Sequence, residues 1–389
     1  MQKIIYGVWG FVRQSAVRIH LAAAKAIYKI SGGKLPKSLY CKRANPEKIA
    51  TDVKIISQND YSTTIAKVDE NGNIKNDDFV ILSTTDFHFD VDHDINTKAV
   101  DYFVRHIKEV KPDLVVLTGD NILSKYQQID AIQFAQMMEE IGIYWTAVFG
   151  NHETREDRGF YKYLLMKSFV DYDHCLCKFG PDELFGYGNF TVNILGEGGK
   201  LKKSLFFFDS GRDILDRDKE KYGLPEDFNG YDFLKKEQID FYKDETTRLK
   251  KQYGSADSFL YFHIPLCEYT HAFKEDKNGK FVPSGECEIF YGSQYESVGC
   301  STYNSGMFDA MLETGSGQAV FCGHDHVNDW HAIYKGIHLV YNQAGGYGVY
   351  HLGDKTGLPE SEWLEGVTVT KIHNDGTFDI SNRYNRMYL

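Results

Sequence analysis

The sequence predicts an α/β fold built around a parallel sheet, and three observations carry the prediction. Between Phe79 and Phe149, short apolar runs alternate with stretches of helical period, the β-α-β-α-β order that implies parallel strands joined by right-handed crossovers. Five strand-like runs end in residues able to ligate a metal or carry a proton: Asp86-Phe87-His88, Gly119-Asp120, Gly150-Asn151-His152-Glu153, His263-Ile264-Pro265 and Gly323-His324-Asp325-His326. In open sheets of this kind ligands bind beyond the carboxyl ends of the strands, and each of these residues falls at such an end. Finally, 389 residues at 42% apolar content supply a sizeable core, to which 26 Tyr and 26 Phe contribute aromatic packing.

The first fifty residues differ from the rest. Seven Lys and three Arg against the single Glu47 make them strongly basic, although the whole chain carries −11. Ile5, Val8, Val12, Ala16, Ile19, Ala23, Ile27 and Ile30 recur at helical steps, and Ser31-Gly32-Gly33 with Pro36 stops the pattern. Residues 1–50 are therefore read as a basic amphipathic helix and linker, and 51–389 as the main domain. Arg13 and Arg18 interrupt any signal-peptide core, and no apolar run approaches the ~20 residues of a spanning helix. Two readings stay open for residues 1–33: peripheral contact with an anionic membrane, or packing on the domain or on a second subunit.

Further elements follow in order. Val53–Ser57 and Thr63–Val68 read as a strand pair, with Asn71-Gly72 marking a turn. Strands are expected at Phe79, Leu114 and Tyr144, with helices from Asn96-Thr97 to Val110 and from Gln127 to Glu140. In the second half, strands are expected at 190–195 and 204–209, a helix at 231–253, and a strand entering His263. A polar, Gly- and Tyr-rich insertion runs from Glu268 to Asn304 and reads as an irregular substrate-contacting loop. Strands at 318–322, 337–341, 367–372 and 377–380 complete the set, the last two joined by Asn374-Asp375-Gly376.

Charge and cysteine usage narrow the function. A net charge of −11 argues against sequence-independent nucleic-acid binding, and no nucleic-acid partner is expected. Seven cysteines, odd in number and without framework spacing, read as free thiols of a reducing, cytoplasmic compartment. Asp86, His88, Asp120, Asn151, His263, His324 and His326 offer carboxylate, imidazole and amide donors without thiolate, a set suited to Mn, Fe or Zn. Seven donors exceed what one ion with an open position uses, so two ions with a bridging carboxylate are expected. Arg155 and Arg158 read either as phosphate contacts or as a solvated loop. Asp90, Asp92, His93 and Asp94 read as a charged rim.

The order D-x-H, G-D, G-N-H-E, H-x-P, G-H-x-H resembles the calcineurin-like metallophosphoesterase superfamily. The His263-Ile-Pro-Leu, Gly323-His-Asp-His-Val-Asn-Asp, Asp209-Ser-Gly-Arg and Gly345-Gly-Tyr-Gly runs are similar to its purple-acid-phosphatase-like branch. The resemblance implies a four-layer α/β/β/α sandwich of two mixed sheets, with strands beyond Lys200 supplying the second sheet. It also implies two divalent or mixed-valence ions: one on Asp86, His88 and His326, the other on Asn151, His263 and His324, with Asp120 bridging. His152 becomes the proton donor, and a metal-bridging hydroxide the nucleophile, toward a phosphomonoester or small phosphodiester. Leu123 stands where a purple acid phosphatase has its metal-binding tyrosine, so no tyrosinate-to-iron colour is expected, although Tyr126 is close in sequence. The alternatives are a membrane-associated diesterase acting on a lipid-linked or nucleotide substrate, and a non-catalytic metal-binding scaffold.

Overall fold

A computed structural model describes residues 48–389 except 91–93, 125–126 and 154–159, with backbone alone at 94–96 and 160–161. The helix expected over 1–33, and with it Cys41, Asp92, His93, Tyr126, Arg155 and Arg158, lies outside the described residues. The strands in chain order are β1 (Val53–Gln58), β2 (Ser62–Lys67), β3 (Phe79–Thr84), β4 (Leu114–Thr118), β5 (Trp145–Val148), β6 (Phe190–Leu195), β7 (Leu201–Phe207) and β8 (Ser258–Tyr261). They continue with β9 (Phe273–Glu275), β10 (Phe281–Pro283), β11 (Glu288–Tyr291), β12 (Gly317–Cys322), β13 (His331–Tyr334), β14 (Ile337–Tyr341), β15 (Gly366–Ile372) and β16 (Phe378–Tyr384). The helices are α1 (Asp94–Val110), α2 (Gln127–Ile141), α3 (Phe160–Phe169), α4 (Asp216–Lys221), α5 (Lys236–Tyr253), α6 (Met307–Thr314) and α7 (Leu352–Thr356).

Two mixed sheets form the body. One has five strands in the order β16-β15-β3-β4-β5, and the other nine in the order β1-β2-β6-β7-β8-β12-β14-β13-β11. Strands β3, β4 and β5 run parallel, as the alternation in the sequence requires, and β7, β8, β12 and β14 form a second parallel run. The two sheets meet through Phe259 on β8, which packs on Phe378 of β16 at 4.8 Å, and through Ser83 Oγ, which donates to Asn342 Oδ1 at 2.7 Å.

Alternation along β7 explains how the nine-stranded sheet is covered on both faces. Phe206 and Phe208 enter the outer core with Tyr242 and Leu249 of α5 and Met307, Phe308 and Met311 of α6. Phe207 points the other way, into a ladder Phe190–Phe207–Tyr261–Phe321 with centroids 4.7, 5.2 and 4.7 Å apart and rings within 16° of parallel. Such cross-strand pairs pin register, because a slip of one residue would turn every ring to the wrong face. On the five-stranded sheet, Phe103 of α1 and Phe134 of α2 pack on Phe87, and Phe134 also meets Trp145.

Three expectations need correction. The second sheet is not made only of strands beyond Lys200: β1, β2 and β6 belong to it, while β15 and β16 join the first sheet because β15 pairs antiparallel with β3 over Thr368–Ile372. The helix expected from Tyr231 starts at Lys236, since Tyr231 bridges to Asp213 and Asp232 turns its carboxylate to Lys235. The Glu268–Asn304 insertion is irregular only in part: β9 and β10 form a ribbon and β11 adds an edge strand beside β13, whereas the residues after Tyr291 form a loop. Among the described residues, no helix is long and apolar enough to cross a membrane.

The C-terminus is tied to α1 through a buried histidine. Tyr388 stacks on Tyr102 and lies under the Arg105 guanidinium. His106 Nε2 is 2.9 Å from Asn385 Oδ1, and its Nδ1 is 3.1 Å from the Tyr388 hydroxyl. Burial lowers the His106 pKa from 6.5 to about 4. The unfolded chain takes up this proton first, so the contribution of His106 to stability is complete above pH 6.5 and is lost as the pH falls toward 4. His106→Gln is therefore expected to flatten the fall in Tm over that window, and an unchanged slope would contradict this.

Candidate metal centre

Five loops leave the carboxyl ends of β3, β4, β5, β8 and β12 and converge on one cluster. Main-chain bonds tie them together: Asp86 N–H donates to Gly119 O (3.0 Å), His88 N–H to Asp120 O (2.9 Å), and Gly323 N–H to His263 O (3.1 Å). Asp86, His88, Asp120 and His324 all take positive φ, from 46° to 80°. For residues other than glycine this conformation costs roughly 1–2 kcal/mol each. Among the described residues only Lys111 and Lys335 share it. Backbone strain is thus concentrated where side chains must be turned toward one point.

The glycines of the signature blocks are required by close approach. A Cβ on Gly150 would lie 2.1 Å from Asp120 Oδ1, and one on Gly323 1.8 Å from Thr85 Oγ1. Gly150→Ala presses on the Asp120 carboxylate and on the Asp120 backbone nitrogen, 2.5 Å from the added Cβ. It is expected to weaken Mn(II) binding by roughly 10–100-fold, read by calorimetric titration against an unchanged circular dichroism spectrum. Unaltered affinity would contradict this packing.

Asp86 Oδ1 is the focus. It lies 3.2 Å from His326 Nε2, 3.8 Å from His88 Nε2 and 3.9 Å from His263 Nε2. It is buried and has no hydrogen-bond donor. Asp86 Oδ2 accepts the His324 N–H at 2.8 Å. Asp120 Oδ2 stands 3.3 Å from His263 Nε2 and 3.9 Å from His88 Nε2. Two groups of three donors result, Asp86-His88-His326 and Asp86-Asp120-His263. Asn151 Oδ1 lies 3.0 Å from His263 Nε2, and the His324 ring stands edge-on to that of His263 with centroids 5.1 Å apart. Five of the seven residues expected from the sequence fall in these groups, with Asp86 common to both and Asp120 in the second, and Asn151 and His324 stand beside His263. His152 stands at the mouth: its Nε2 is 3.8 Å from Asp120 Oδ2, and its side chain is 49% exposed.

The charge state suits cations. Burial alone would keep Asp86 and Asp120 neutral, but the histidines around them, His326 and His263 foremost, hold both carboxyls below their ordinary range. Burial opposes a charge on His263 too, yet Asp120 and Asp86 hold its pKa up to about 10. Burial pushes His88 down to about 4 and His324 to about 3, leaving neutral imidazoles. His263 Nδ1 meets Thr118 O at 2.9 Å and His326 Nδ1 meets Tyr350 O at 3.2 Å, which directs both Nε2 atoms inward. An unpartnered buried carboxylate oxygen amid inward-facing imidazoles fits a metal site.

Several supporting residues were missed in the sequence. Glu153 is fully buried and accepts the N–H groups of Asp120 (3.1 Å), Ile122 (3.0 Å), Gly150 (2.7 Å) and Asn121. Burial, then the Asp120 charge, pushes its pKa up to about 7. Its place in the G-N-H-E block was the available signal. Asp325, between the two histidines, and Asn328 and Asp329 just after them bind the 292–306 loop, accepting from Gly299, Tyr295 and Ser293 N–H groups respectively. Tyr350 stacks on His326 at 4.3 Å, with its hydroxyl on Glu296; no local pattern announces it. Beside the cluster, Tyr231 meets the His324 ring edge-on at 4.3 Å and bridges to Asp213. Asp213 lines a cavity of about 690 Å³ shared with Tyr163, Phe179, Tyr187, Arg212 and Arg217. Of the acidic run, Asp90 is half-buried.

The model of the calcineurin-like phosphoesterase family matches residues 79–328 and so spans all five loops. The chain belongs to this family. It is 32% identical to a probable inactive purple acid phosphatase 29 of Arabidopsis thaliana, over 68% of this chain and 66% of that protein. It is 31% identical to phosphatase DCR2 of Saccharomyces cerevisiae, over 59% of this chain and 38% of that one. The chain thus spans just under two thirds of the plant relative and well under half of the yeast one. A dimetal phosphatase from Danio rerio superposes with a TM-score of 0.49 at 11% identity, covering 79% of this chain and 96% of the other. Family and donor groups together suggest a dimetal centre.

Proposed function

We propose that this protein hydrolyses a phosphomonoester or small phosphodiester at a two-metal centre of Mn, Fe or Zn ions. The observation that carries the reading is Asp86 Oδ1, buried, without a donor, and facing His326, His88 and His263. Asp86, His88 and His326 would hold one ion and Asn151, His263 and His324 the other, with Asp120 shared. When bound, the ions supply Lewis acidity toward water and toward a phosphoryl oxygen. The chain's own contribution is positioning and proton transfer. Thr118 O and Tyr350 O orient two imidazoles, and Glu153 holds the loops of Asp120 and Gly150. His152, exposed and beside Asp120, delivers a proton to the leaving oxygen or steadies its developing charge.

The names of the plant relatives favour a second reading, a metal-binding protein without turnover. Against it, the seven donors and His152 are all present here and converge. The test is hydrolysis of a paired aryl phosphomonoester and diester after Mn(II) loading, alongside Asp120→Asn. Turnover that needs metal and collapses in the variant supports the enzyme, and the preferred ester chooses the substrate class. No turnover despite two bound ions per chain supports the second reading. A lipid-linked or nucleotide diester reached through residues 1–33 is tested by the same assay on liposomes with residues 1–33 deleted.

A further inference from the structure

Two thiols meet on the segments that flank the cluster. Cys267 opens a 3-10 turn, Cys267–His271, four residues after His263. Cys300 lies in the 292–306 loop next to Gly299, whose N–H donates to the Asp325 carboxylate at 3.0 Å and whose Cα faces the His324 ring. Cys267 Sγ donates to Ser301 O at 3.1 Å, the carbonyl of the residue that follows Cys300, which brings the two cysteines side by side. Both side chains are half-buried, so a small oxidant reaches them, whereas Cys177 and Cys322 are buried.

We propose that Cys267 and Cys300 are a site of reversible oxidation by hydrogen peroxide, forming a disulfide that ties the 292–306 loop to the segment following His263. The Cys300 thiol beside it holds Cys267 below the usual thiol range, and burial together with Cys267 pushes Cys300 up. This is the asymmetry of an attacking and a resolving thiol. The Cys267 thiolate attacks a peroxide oxygen, the O–O bond breaks, and Cys267 becomes a sulfenic acid as one water leaves. The Cys300 sulfur then attacks that sulfur, the S–S bond forms and a second water leaves. Two thiols lose two electrons and two protons, peroxide is reduced to water, and a dithiol reverses the step. The link joins loops that both abut metal-centre histidines, so its formation restrains the entrance to the cluster.

The test needs neither substrate nor metal turnover and is independent of the phosphoesterase reading. The full chain is exposed to a few equivalents of hydrogen peroxide, alkylated and mapped by peptide mass spectrometry. The expected result is a Cys267–Cys300 linked peptide, two mass units lighter than the dithiol, abolished by dithiothreitol and accompanied by slower amide exchange across 292–306. In Cys300→Ser, Cys267 should instead be captured by dimedone as sulfenic acid. A first disulfide elsewhere, such as Cys175 with Cys177, would overturn the proposal. So would sulfinic acid at Cys267 of the unaltered chain with no linked peptide.

Discussion

Asp86→Asn is expected to abolish metal-dependent hydrolysis, lowering kcat/KM by on the order of 10³-fold or more, while leaving the fold intact. The carboxylate stands between the two donor groups, 3.2 Å from His326 and 3.9 Å from His263, and one of its oxygens has no donor. Asparagine keeps an oxygen that can accept the His324 N–H, so the loop after β12 stays anchored. What it removes is the negative charge on the ion that His88 and His326 would also hold, and Lewis-acid stabilisation at such sites is worth several kcal/mol. Steady-state kinetics with Mn(II) and a thermal melt check the two halves of the prediction. A variant with near-normal activity would show that Asp86 is not a metal ligand. Because His263 is held protonated in the metal-free cluster, metal uptake also displaces a proton and should weaken as the pH falls.

Glu153→Ala should produce the largest loss of stability among the residues near the site. Four backbone N–H groups converge on one buried carboxylate. Each buried donor left without an acceptor costs about 1–3 kcal/mol, and partial relaxation keeps the sum to roughly 3–5 kcal/mol. At about two to four degrees per kcal/mol, Tm should fall by roughly 6–20 °C. Differential scanning calorimetry reads this directly, and the loss should exceed that for His152→Ala, whose side chain is half in solvent. Equal melting of the two variants would contradict the role assigned to Glu153.

The parts legible in the sequence were those governed by local rules. Alternation of apolar runs with helical stretches located β3, α1, β4, α2 and β5, and short chemical motifs at strand ends named the side chains that the five loops bring close together. What escaped was decided by pairing between distant segments. Nothing local shows that β15 pairs with β3 rather than with the other sheet, or that β11 joins β13, because antiparallel edge pairing depends on the register of remote strands. Tyr350 was missed for the same reason: its ring lies on His326 only because the chain returns after β14. Glu153, Asp325 and Asn328 were in view as letters of the motifs, but their role is to bind backbone N–H groups, a use that residue type alone does not declare.

The central claim is that Asp86, His88, Asp120, Asn151, His263, His324 and His326 hold two ions. Anomalous diffraction from crystals loaded with Mn(II) tests it most directly. The account predicts two peaks within coordination distance of these side chains, one beside His88 and His326, the other beside Asn151 and His263, with Asp120 reaching both. A single peak, or metal bound away from Asp86 Oδ1, would contradict it.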